Sequence, residues 1–303
     1  MPFPKQEPRK WHSVSSLIEA SRCQKLYQLS SVMRLTPKGG PHPALLFGEA
    51  IHKALGVWHG TYDFQLTMDG FLSVWKDAQG DDLRNIDTAV KVLTSYANLF
   101  REGMDIVKLL PSPKLPGTIQ VQDTVSDFEV TFAIDIGLNL PFMGKIDALG
   151  EHRTTKELMI VEFKTARSVT STLTNAFELS PQLILYSIAA SAILGKPVNR
   201  CLLRAIQVAK TKCDIETRII DVLPHHKEAA LKWAQFWAGM VEHAESTGIY
   251  PENYSGCHPY AQFGQPGFSC KFLDLCKFPN PENLLGNYEV REQTPFILPE
   301  TTE

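Results

Sequence analysis

The sequence lacks any apolar run long enough to span a bilayer. No apolar signal segment precedes its charged first ten residues, which include Lys5, Glu7, Arg9 and Lys10. We therefore expect no membrane partner and a cytoplasmic, intracellular location. Structural disulfides are rare in such a reducing setting, so the cysteines call for another explanation.

The sequence also lacks a strong charge bias, since its formal net charge is −3. Bulk charge gives no indication of a nucleic-acid partner, although a protein that acts on nucleic acid needs only local basic groups. One local candidate is the stretch 200–212, which contains Arg200, Arg204, Lys210 and Lys212 and no acidic residue. It predicts either a nucleic-acid contact or an ordinary strand with exposed basic side chains.

No internal repeat is present, and the remaining composition is ordinary for a soluble globular protein. The chain has 303 residues, of which 44% are hydrophobic and 21% are charged. This length favours one domain with an insertion over two independent domains. The predicted organisation is a disordered start at 1–10, a single domain at 11–286 with a helical insertion at 60–110, and a flexible tail at 287–303.

The most informative pattern is a predicted β-hairpin. An apolar run at 158–161 leads directly into Glu162-Phe163-Lys164, and the polar stretch 150–157 separates it from Asp147. A hairpin of this length brings Asp147 beside Glu162. Because side chains alternate along a strand, Glu162 and Lys164 face the same way.

Two carboxylates and one ammonium group on one face suit a divalent metal and a phosphate. Carboxylate oxygens are ligands for Mg²⁺ or Mn²⁺, and a nearby lysine can hold a water molecule or stabilise phosphate charge. Taken alone, however, this pattern fits a solvated surface hairpin better.

Two predicted helices add polar residues to this set. The helix predicted at 48–59 carries His52, which alone fits a structural histidine better than a ligand. The helix that begins near Pro181 and runs to about Leu194 carries Gln182 and Tyr186. These two residues are four positions apart and share a helix face, which is also what an ordinary exposed polar stripe would show.

The six cysteines suggest a metal or cluster site. Three of them lie in the segment 250–280, which is rich in Pro, Gly and aromatic residues and has few features of regular structure. Four thiolates can hold either zinc or an iron–sulfur cluster, and chemistry alone favours zinc. Cys201 and Cys213 flank a predicted strand pair and fit small buried apolar residues.

The order of these motifs resembles the PD-(D/E)XK nuclease superfamily, and more narrowly its RecB-like branch with the CRISPR-adaptation nucleases and phage exonucleases. The resemblance covers about residues 11–280. The matching pairs are Gly48 and His52, Gly144 and Asp147, Glu162 and Lys164, and Gln182 and Tyr186. The run 12–17 through Cys23 is similar to the first helix and first cluster cysteine of that branch, although Gln24 stands where the branch often has proline.

The resemblance implies a role for each matching residue. His52, Asp147 and Glu162 would bind Mg²⁺ or Mn²⁺ with the backbone carbonyl of Phe163. Lys164 would position the hydrolytic water and stabilise the transition state. The DNA backbone would be held near the metal by Gln182 and Tyr186.

The resemblance also favours a [4Fe–4S] cluster over zinc. The matching cysteines are Cys23, Cys257, Cys270 and Cys276, and the cluster would join the two ends of the chain as a structural staple. The gap of 12 residues between Cys257 and Cys270 departs from relatives in which two are common. His258 is the alternative ligand at that position.

Several further elements are predicted from local patterns. A capping box at Ser16-Leu17-Ile18-Glu19 predicts a helix that starts near Ser16. Strands are predicted at about 119–137, 142–150 and 157–164, and a strand pair at 200–210 and 214–222. A helix at 232–241 carries a Trp and Phe stripe that we expect in the core.

The fold class predicted from these elements is α/β, with a restriction-endonuclease-like core, a central mixed β-sheet flanked by helices, a helical insertion and a cluster-stapled C-terminal segment. The expected activity is metal-dependent hydrolysis of DNA at single-stranded or duplex ends. The resemblance implies a setting in recombination, repair or phage replication, with a partner protein and a bacterial or phage-infected cell. The alternative is a non-catalytic DNA-binding or assembly subunit.

Overall fold

The structure is a computed structural model. It describes residues 9–39, 42–76, 78, 80–110, 128–211, 213–257, 269–278 and 281–291. Some expectations from the sequence lie outside these residues. They concern most of 1–10, the range 119–127, Lys212, His258 and the tail beyond residue 291. Across the described ranges, no helix combines the length and apolarity required to cross a membrane.

The chain forms a set of helices and strands that we number in chain order. The α-helices are α1 (Val14–Arg22), α2 (Gln24–Tyr27), α3 (Pro43–Thr61), α4 (Phe64–Trp75), α5 (Ile86–Leu99), α6 (Ser171–Asn175), α7 (Pro181–Leu194), α8 (Pro224–Thr247) and α9 (Leu273–Lys277). The strands are β1 (His12–Ser13), β2 (Leu35–Pro37), β3 (Val107–Leu109), β4 (Phe128–Ile134), β5 (Phe142–His152), β6 (Leu158–Ala166), β7 (Arg200–Gln207), β8 (Ile215–Asp221) and β9 (Tyr288–Val290).

The described residues divide into two compact units. The central unit draws on the described parts of the ranges 42–134 and 144–230. The terminal unit draws on the described parts of the ranges 9–39, 135–143 and 231–291. The domain boundaries expected from the sequence remain a prediction.

The central unit contains the mixed sheet that the sequence predicts. β5 pairs with β3 and β6 in antiparallel fashion and also with β4, β6 pairs with β7 in parallel, and β7 pairs with β8 in antiparallel fashion. A parallel pair needs a crossover, and α6 and α7 supply it between β6 and β7. α7 packs on β4, β6 and β7, while α3 packs on β6. The prediction of a mixed sheet flanked by helices is confirmed.

The predicted helical insertion is largely helical. Asp63 and Asn85 cap the N-termini of α4 and α5 by accepting backbone hydrogen bonds from Leu66 and Thr88, which explains where both helices begin. The buried faces of α3, α4 and α5 form a single core cluster that also includes the sheet residue Phe163. Residues 107–109 form a strand instead of helix, paired with β5.

A charged residue lies inside this core. The Arg204 side chain is fully buried, forms an ion pair with Asp105 and donates a hydrogen bond of 2.8 Å to the Tyr96 hydroxyl. Its guanidinium carbon lies 3.9 Å from the centre of the Phe100 ring. Burial and the nearby Arg204 charge lower the pKa of His59 to about 3, so this histidine is neutral.

The interpretation of 200–212 as a nucleic-acid contact is therefore wrong for Arg204, which is inside the protein. Arg200 forms ion pairs with Glu157 and Asp221, and Lys210 lies 3.3 Å from Asp82. The sequence pattern missed these partners because the acidic residues come from elsewhere in the chain.

The terminal unit begins with a capped helix. Ser13 is the N-cap of α1, and its hydroxyl accepts a hydrogen bond from the Ser16 amide, while the Ser16 hydroxyl accepts one from the Ser13 amide. The helix thus begins at Val14, two residues before the predicted start. The predicted capping box had Ser16 as the N-cap and Glu19 at the third helical position, whereas in the structure Ser13 is the N-cap and Ser16 holds the third position. β1 pairs in parallel with Phe142 and Met143.

The end of the terminal unit also forms a strand. β9 pairs with β2 in antiparallel fashion, where a flexible tail was expected from residue 287. The Tyr288 ring packs against Phe272 with 5.6 Å between ring centres, and its hydroxyl donates to the carbonyl of Lys271. Residues after 291 lie outside the described part.

The helix predicted at 232–241 exists within the longer α8, but its buried face differs from the expected one. Phe236 is 59% exposed and Met240 is 37% exposed. The buried positions include Ala234, Ala238 and Val241, whose small side chains allow close packing. The expectation that the Trp and Phe stripe forms core is therefore wrong for Phe236 and Met240.

Candidate active site

The two predicted carboxylates lie where the β5–β6 ladder ends. The last paired residues are Ala148 and Val161, so the next residues, Asp147 and Glu162, come directly after the paired region. The backbone amide of Phe163 donates a hydrogen bond of 2.9 Å to Asp147 Oδ2. A side chain thus replaces the backbone acceptor at this point and holds Asp147 against β6.

Glu162 is buried and doubly paired. It is only 1% exposed, and its Oε1 lies 2.5 Å from Lys164 Nζ. The same oxygen accepts a hydrogen bond of 3.1 Å from Gln182 Nε2. Because Val161 and Phe163 belong to the core, alternation places Glu162 and Lys164 on the opposite face of β6.

His52 joins this group from α3. Its Nδ1 lies 3.7 Å from Asp147 Oδ1, and its ring packs against Phe163 with 6.2 Å between ring centres. A Cβ at Gly48 would lie 3.0 Å from Thr165 Oγ1. The glycine one turn before His52 therefore lets α3 approach β6 closely enough to bring the imidazole to Asp147.

Gln182 and Tyr186 approach from α7. Pro181 occupies the first position of this helix, where a missing amide costs little, so both residues lie in its first two turns. The Lys145 backbone and the Gln182 side chain lie near the Tyr186 hydroxyl and favour its ionised form. Burial and the charge of Glu162 raise the pKa of Tyr186 to about 12, so its hydroxyl keeps its proton.

The charges of the site depend on one another. Burial and the neighbouring Asp147 raise the pKa of Glu162 to about 7. Burial opposes ionisation of Asp147, but His52 and Lys164 outweigh it and lower the pKa of Asp147. Burial likewise opposes the charged form of Lys164, yet Glu162 and Asp147 raise the pKa of this lysine. A further positive charge at this site would therefore stabilise the ionised forms of Asp147 and Glu162.

The donor set fits Mg²⁺ or Mn²⁺. Asp147 and Glu162 offer carboxylate oxygens, His52 offers an imidazole nitrogen, and Phe163, whose amide contacts Asp147, offers a backbone carbonyl. In the described ranges, no group of three or more His, Cys, Asp or Glu side chains is arranged to hold a metal ion. Lys164 and Gln182 instead occupy the Oε1 atom of Glu162.

The four predicted cluster cysteines all belong to the terminal unit. Cys23 is buried at the C-terminal end of α1, and the Cys270 amide donates a hydrogen bond of 2.8 Å to the Cys257 carbonyl. Burial, the charge of Glu252 and the three other cysteines raise the pKa of Cys276 to about 11. Within the described part of the chain, these cysteines do not form a group arranged to hold a metal ion.

The remaining two cysteines lie elsewhere. Cys201 is fully buried in β7, and Cys213 is partly buried against the core of the central unit. Burial and the charge of Glu162 raise the pKa of Cys201 well above its usual value. These positions agree with the expectation of small buried apolar residues.

Comparison with known proteins places this site in a family. A family model described as the PD-(D/E)XK nuclease superfamily matches residues 12–277. The chain belongs to this superfamily. No curated protein was found to match the sequence.

Two solved structures are similar to this nuclease-superfamily chain. The structure named "Putative exonuclease" from Eubacterium rectale has a TM-score of 0.50 and 14% identity, and the alignment covers 81% of this chain and 85% of that one. At this identity the similarity supports the fold alone. The structure of SSO0001 has a TM-score of 0.31 and 13% identity, covers 75% of this chain and 86% of that one, and supports no inference.

The sequence pattern missed Phe132, which shapes the site from β4. Its ring packs edge-on against Tyr186 with 5.5 Å between ring centres. A Cβ at Gly144 would lie 2.6 Å from Phe132 Cζ and 3.0 Å from Tyr186 Cε1. The only sequence feature of Phe132 is the apolar alternation along β4, which marks a core residue.

Replacement Gly144→Ala is expected to push Tyr186 or Phe132 away from its position. Overpacking of this kind lowers the free energy of unfolding by about 1–3 kcal/mol. If Tyr186 helps to hold substrate, the cleavage rate of Gly144→Ala falls even under conditions in which the variant is fully folded. The measurements are chemical denaturation and turnover of labelled DNA at a temperature at which the variant remains folded.

The matched control is Gly239→Ala. A Cβ at Gly239 meets nothing within 4 Å, and the residue lies inside α8. This change is expected to stabilise the protein by up to about 1 kcal/mol because alanine favours the helix. If Gly144→Ala and Gly239→Ala had the same stability and the same cleavage rate, the close contact at Gly144 would not be needed for the fold or for cleavage.

Proposed function

We propose that this chain is a metal-dependent deoxyribonuclease that acts as an exonuclease on DNA ends, in recombination, repair or phage replication. The observation that carries this proposal is the convergence of Asp147, Glu162 and Lys164 at the end of the β5–β6 ladder, with His52 beside them. Membership of the chain in the PD-(D/E)XK nuclease superfamily supports nuclease activity, and the exonuclease mode is the part of the proposal that the assay below tests.

Hydrolysis of a phosphodiester needs a nucleophile and a counter-charge. The proposed Mg²⁺ or Mn²⁺, held by His52, Asp147, Glu162 and the Phe163 carbonyl, would lower the pKa of water and offset negative charge. Lys164 is protonated at neutral pH, since its neighbours raise its pKa. Its ammonium group can therefore hold a water molecule beside Glu162 and stabilise the charge that develops on the phosphate.

The two α7 residues would position the substrate. Gln182 fixes Glu162 through the hydrogen bond to Oε1, and its carboxamide lies beside the Tyr186 hydroxyl. The Tyr186 hydroxyl keeps its proton at neutral pH, so it can donate a hydrogen bond to a phosphate oxygen. Both residues thus act as neutral ligands for the DNA backbone beside a charged centre.

A non-catalytic DNA-binding or assembly subunit is the alternative. The chain keeps His52, Asp147, Glu162 and Lys164 together, whereas a subunit that had lost catalysis would not need to keep all four. The presence of the complete set therefore favours an enzyme.

The test is a nuclease assay on end-labelled linear and closed circular DNA, single- and double-stranded, with Mg²⁺ or Mn²⁺ and with chelator. We expect metal-dependent loss of linear DNA only. Cleavage of circles would change the assignment to an endonuclease. Absence of metal-dependent cleavage would support the non-catalytic subunit.

We further propose that the chain belongs to the RecB-like branch and holds a [4Fe–4S] cluster on Cys23, Cys257, Cys270 and Cys276. The support is the set of contacts around Asn253 in the terminal unit: the Asn253 amide donates to Cys23 Sγ at 3.4 Å, the Cys257 thiol donates to the Asn253 carbonyl at 3.9 Å, and the Cys270 amide donates to the Cys257 carbonyl at 2.8 Å. Cysteine thiolates are the usual ligands of such clusters, and zinc is the alternative ion. The cluster would connect α1 with the end of the chain as a structural staple.

Replacement Cys276→Ser is expected to abolish iron and sulfide binding and the near-visible absorbance of the purified protein. The matched control is Cys213→Ser, because Cys213 is partly buried but lies outside the four. The control should keep wild-type iron and sulfide. If the purified wild-type protein contained zinc and no sulfide, the assignment would change from an iron–sulfur cluster to a structural zinc site.

A further inference from the structure

A pocket of about 490 Å³ opens on the helical part of the central unit. Three aromatic residues from α3 to α4 line it together with polar residues from α5 and the residues after it. The lining residues are Trp58, Tyr62, Phe64, Thr94, Ala97, Asn98, Arg101 and Glu102. The volume falls in the usual range for small-ligand sites. None of the residues proposed for catalysis belongs to this lining.

The aromatic rings are held in fixed orientations. The Trp58 indole donates a hydrogen bond of 2.9 Å from Nε1 to the Phe100 carbonyl. The Tyr62 ring packs edge-on against Trp58, with 5.5 Å between ring centres and 75° between ring planes. Trp58 itself is only 8% exposed, so a planar ligand would stack on the partly exposed rings of Tyr62 and Phe64, which the core supports from behind.

Tyr62 has an unusual backbone conformation. It caps the C-terminus of α3 with φ 52° and ψ 25°, in the left-handed region where glycine or asparagine is the usual residue. A bulky residue is disfavoured there, and such conformations often occur where a side chain is needed in one place. The Tyr62 ring packs against the rings of Trp58 and His59 and also lines the pocket.

The charges of the pocket disfavour a phosphate. Among the described residues of the lining, Arg101 alone is basic and Glu102 is acidic. The Arg101 guanidinium donates a hydrogen bond of 3.3 Å to the Asn98 side chain. A neutral group with a polar edge fits better, because Thr94 and Asn98 offer hydrogen-bonding groups beside the rings. Nucleobases have a flat apolar face and such a polar edge.

We propose that this pocket binds one nucleobase of a single-stranded segment of the DNA substrate. The proposal rests on the proposed nuclease function and extends it. α3 connects the two places, since it carries both His52 and Tyr62 at its C-cap, ten residues later. At 1.5 Å per residue these positions lie about 15 Å apart along the helix axis, a separation that a few nucleotides of single-stranded DNA can span.

The experiment is a scan with single-stranded oligonucleotides that each contain one abasic position, moved stepwise from the labelled end. Affinity is measured in chelator, which prevents metal-dependent cleavage. Stacking of one base on aromatic residues predicts that one abasic position weakens wild-type binding by about tenfold or more. In Tyr62→Gly, an abasic site at that position should not weaken binding further. Tyr62→Gly should bind intact DNA as weakly as the wild type binds the strand with that abasic site.

Two variants besides Tyr62→Gly, namely Tyr62→Phe and Phe236→Ala, separate an effect on stacking from an effect on folding. Tyr62→Gly relieves the left-handed backbone but also removes a ring that packs against the core, so circular dichroism must show that the variant is folded before its scan is read. Tyr62→Phe keeps the ring and should keep the wild-type scan. Phe236→Ala removes an aromatic residue that is 59% exposed on α8, outside the pocket, and should also leave the scan unchanged.

The outcomes distinguish this inference from the proposed function. If the protein binds and cleaves DNA but every abasic position is equivalent, the pocket does not bind a base, and the nuclease function stands. If a sensitive position persists in Tyr62→Gly, another part of the protein holds that base, and the inference is wrong. Failure of the wild type to bind or cleave any DNA would overturn the proposed function as well.

Discussion

Replacement of Glu162 or Lys164 by alanine is expected to abolish DNA cleavage while the fold remains intact. Glu162→Ala removes the carboxylate that pairs with Lys164 Nζ, and Lys164→Ala removes the ammonium group beside that carboxylate. Loss of one group that stabilises charge in a transition state lowers turnover by about 10³-fold or more. Single-turnover assays with Mn²⁺ would measure this loss.

A matched lysine provides the control for this prediction. Lys210 also forms an ion pair, with Asp82 at 3.3 Å, but it is exposed and lies outside the candidate site. Lys210→Ala should therefore cleave DNA at the wild-type rate. Equal cleavage by Glu162→Ala, Lys164→Ala and the wild type would refute the site assignment, provided that circular dichroism shows all three folded.

The second large effect is expected from the buried ion pair between Arg204 and Asp105. Asp105→Ala should lower the free energy of unfolding by about 3–5 kcal/mol, because it leaves a buried guanidinium without its counter-charge. Among the described residues, Arg204 Nε already lacks a hydrogen-bond partner, so little remains to compensate. Urea denaturation followed by fluorescence would measure the change.

Two variants define what this loss means. The double replacement Asp105→Leu with Arg204→Met removes both charges, so it should be less destabilising than Asp105→Ala alone. Asp82→Ala removes a carboxylate that is almost fully exposed, and should change stability by less than about 1 kcal/mol. A double variant as unstable as the single one would show that packing, and not the unpaired charge, causes the loss.

The candidate site was predictable because its geometry is local. Asp147, Glu162 and Lys164 lie on one hairpin, where strand alternation and register decide which side chains meet. Gln182 and Tyr186 lie one helical turn apart. These relations follow from short stretches of sequence, and the family resemblance supplied the order in which they should occur.

The environment of Arg204 was not predictable in the same way. Its counter-ion Asp105 is 99 residues away in the sequence, and both side chains are buried. A stretch of basic residues without acids looks like an exposed surface when only neighbours in the chain are considered. Tertiary pairing reverses that interpretation.

The α8 helix shows a second limit. Large aromatic residues at helical spacing suggested a buried face, but alanines at the same spacing provide part of that face, and Phe236 is exposed. Amphipathic spacing identifies a helix without identifying which of two apolar stripes packs. Close packing against a neighbour selects the smaller side chains in this case.

The hydrogen bond from the Phe163 amide to Asp147 has a consequence for hydrogen exchange. Backbone carbonyls protect most strand amides from solvent, but a carboxylate protects this one. Its exchange rate therefore depends on the ionisation and position of Asp147, while amides in the paired part of the ladder report only on the opening of the sheet. A single amide signal can thus report the state of the candidate catalytic carboxylate in the absence of any substrate.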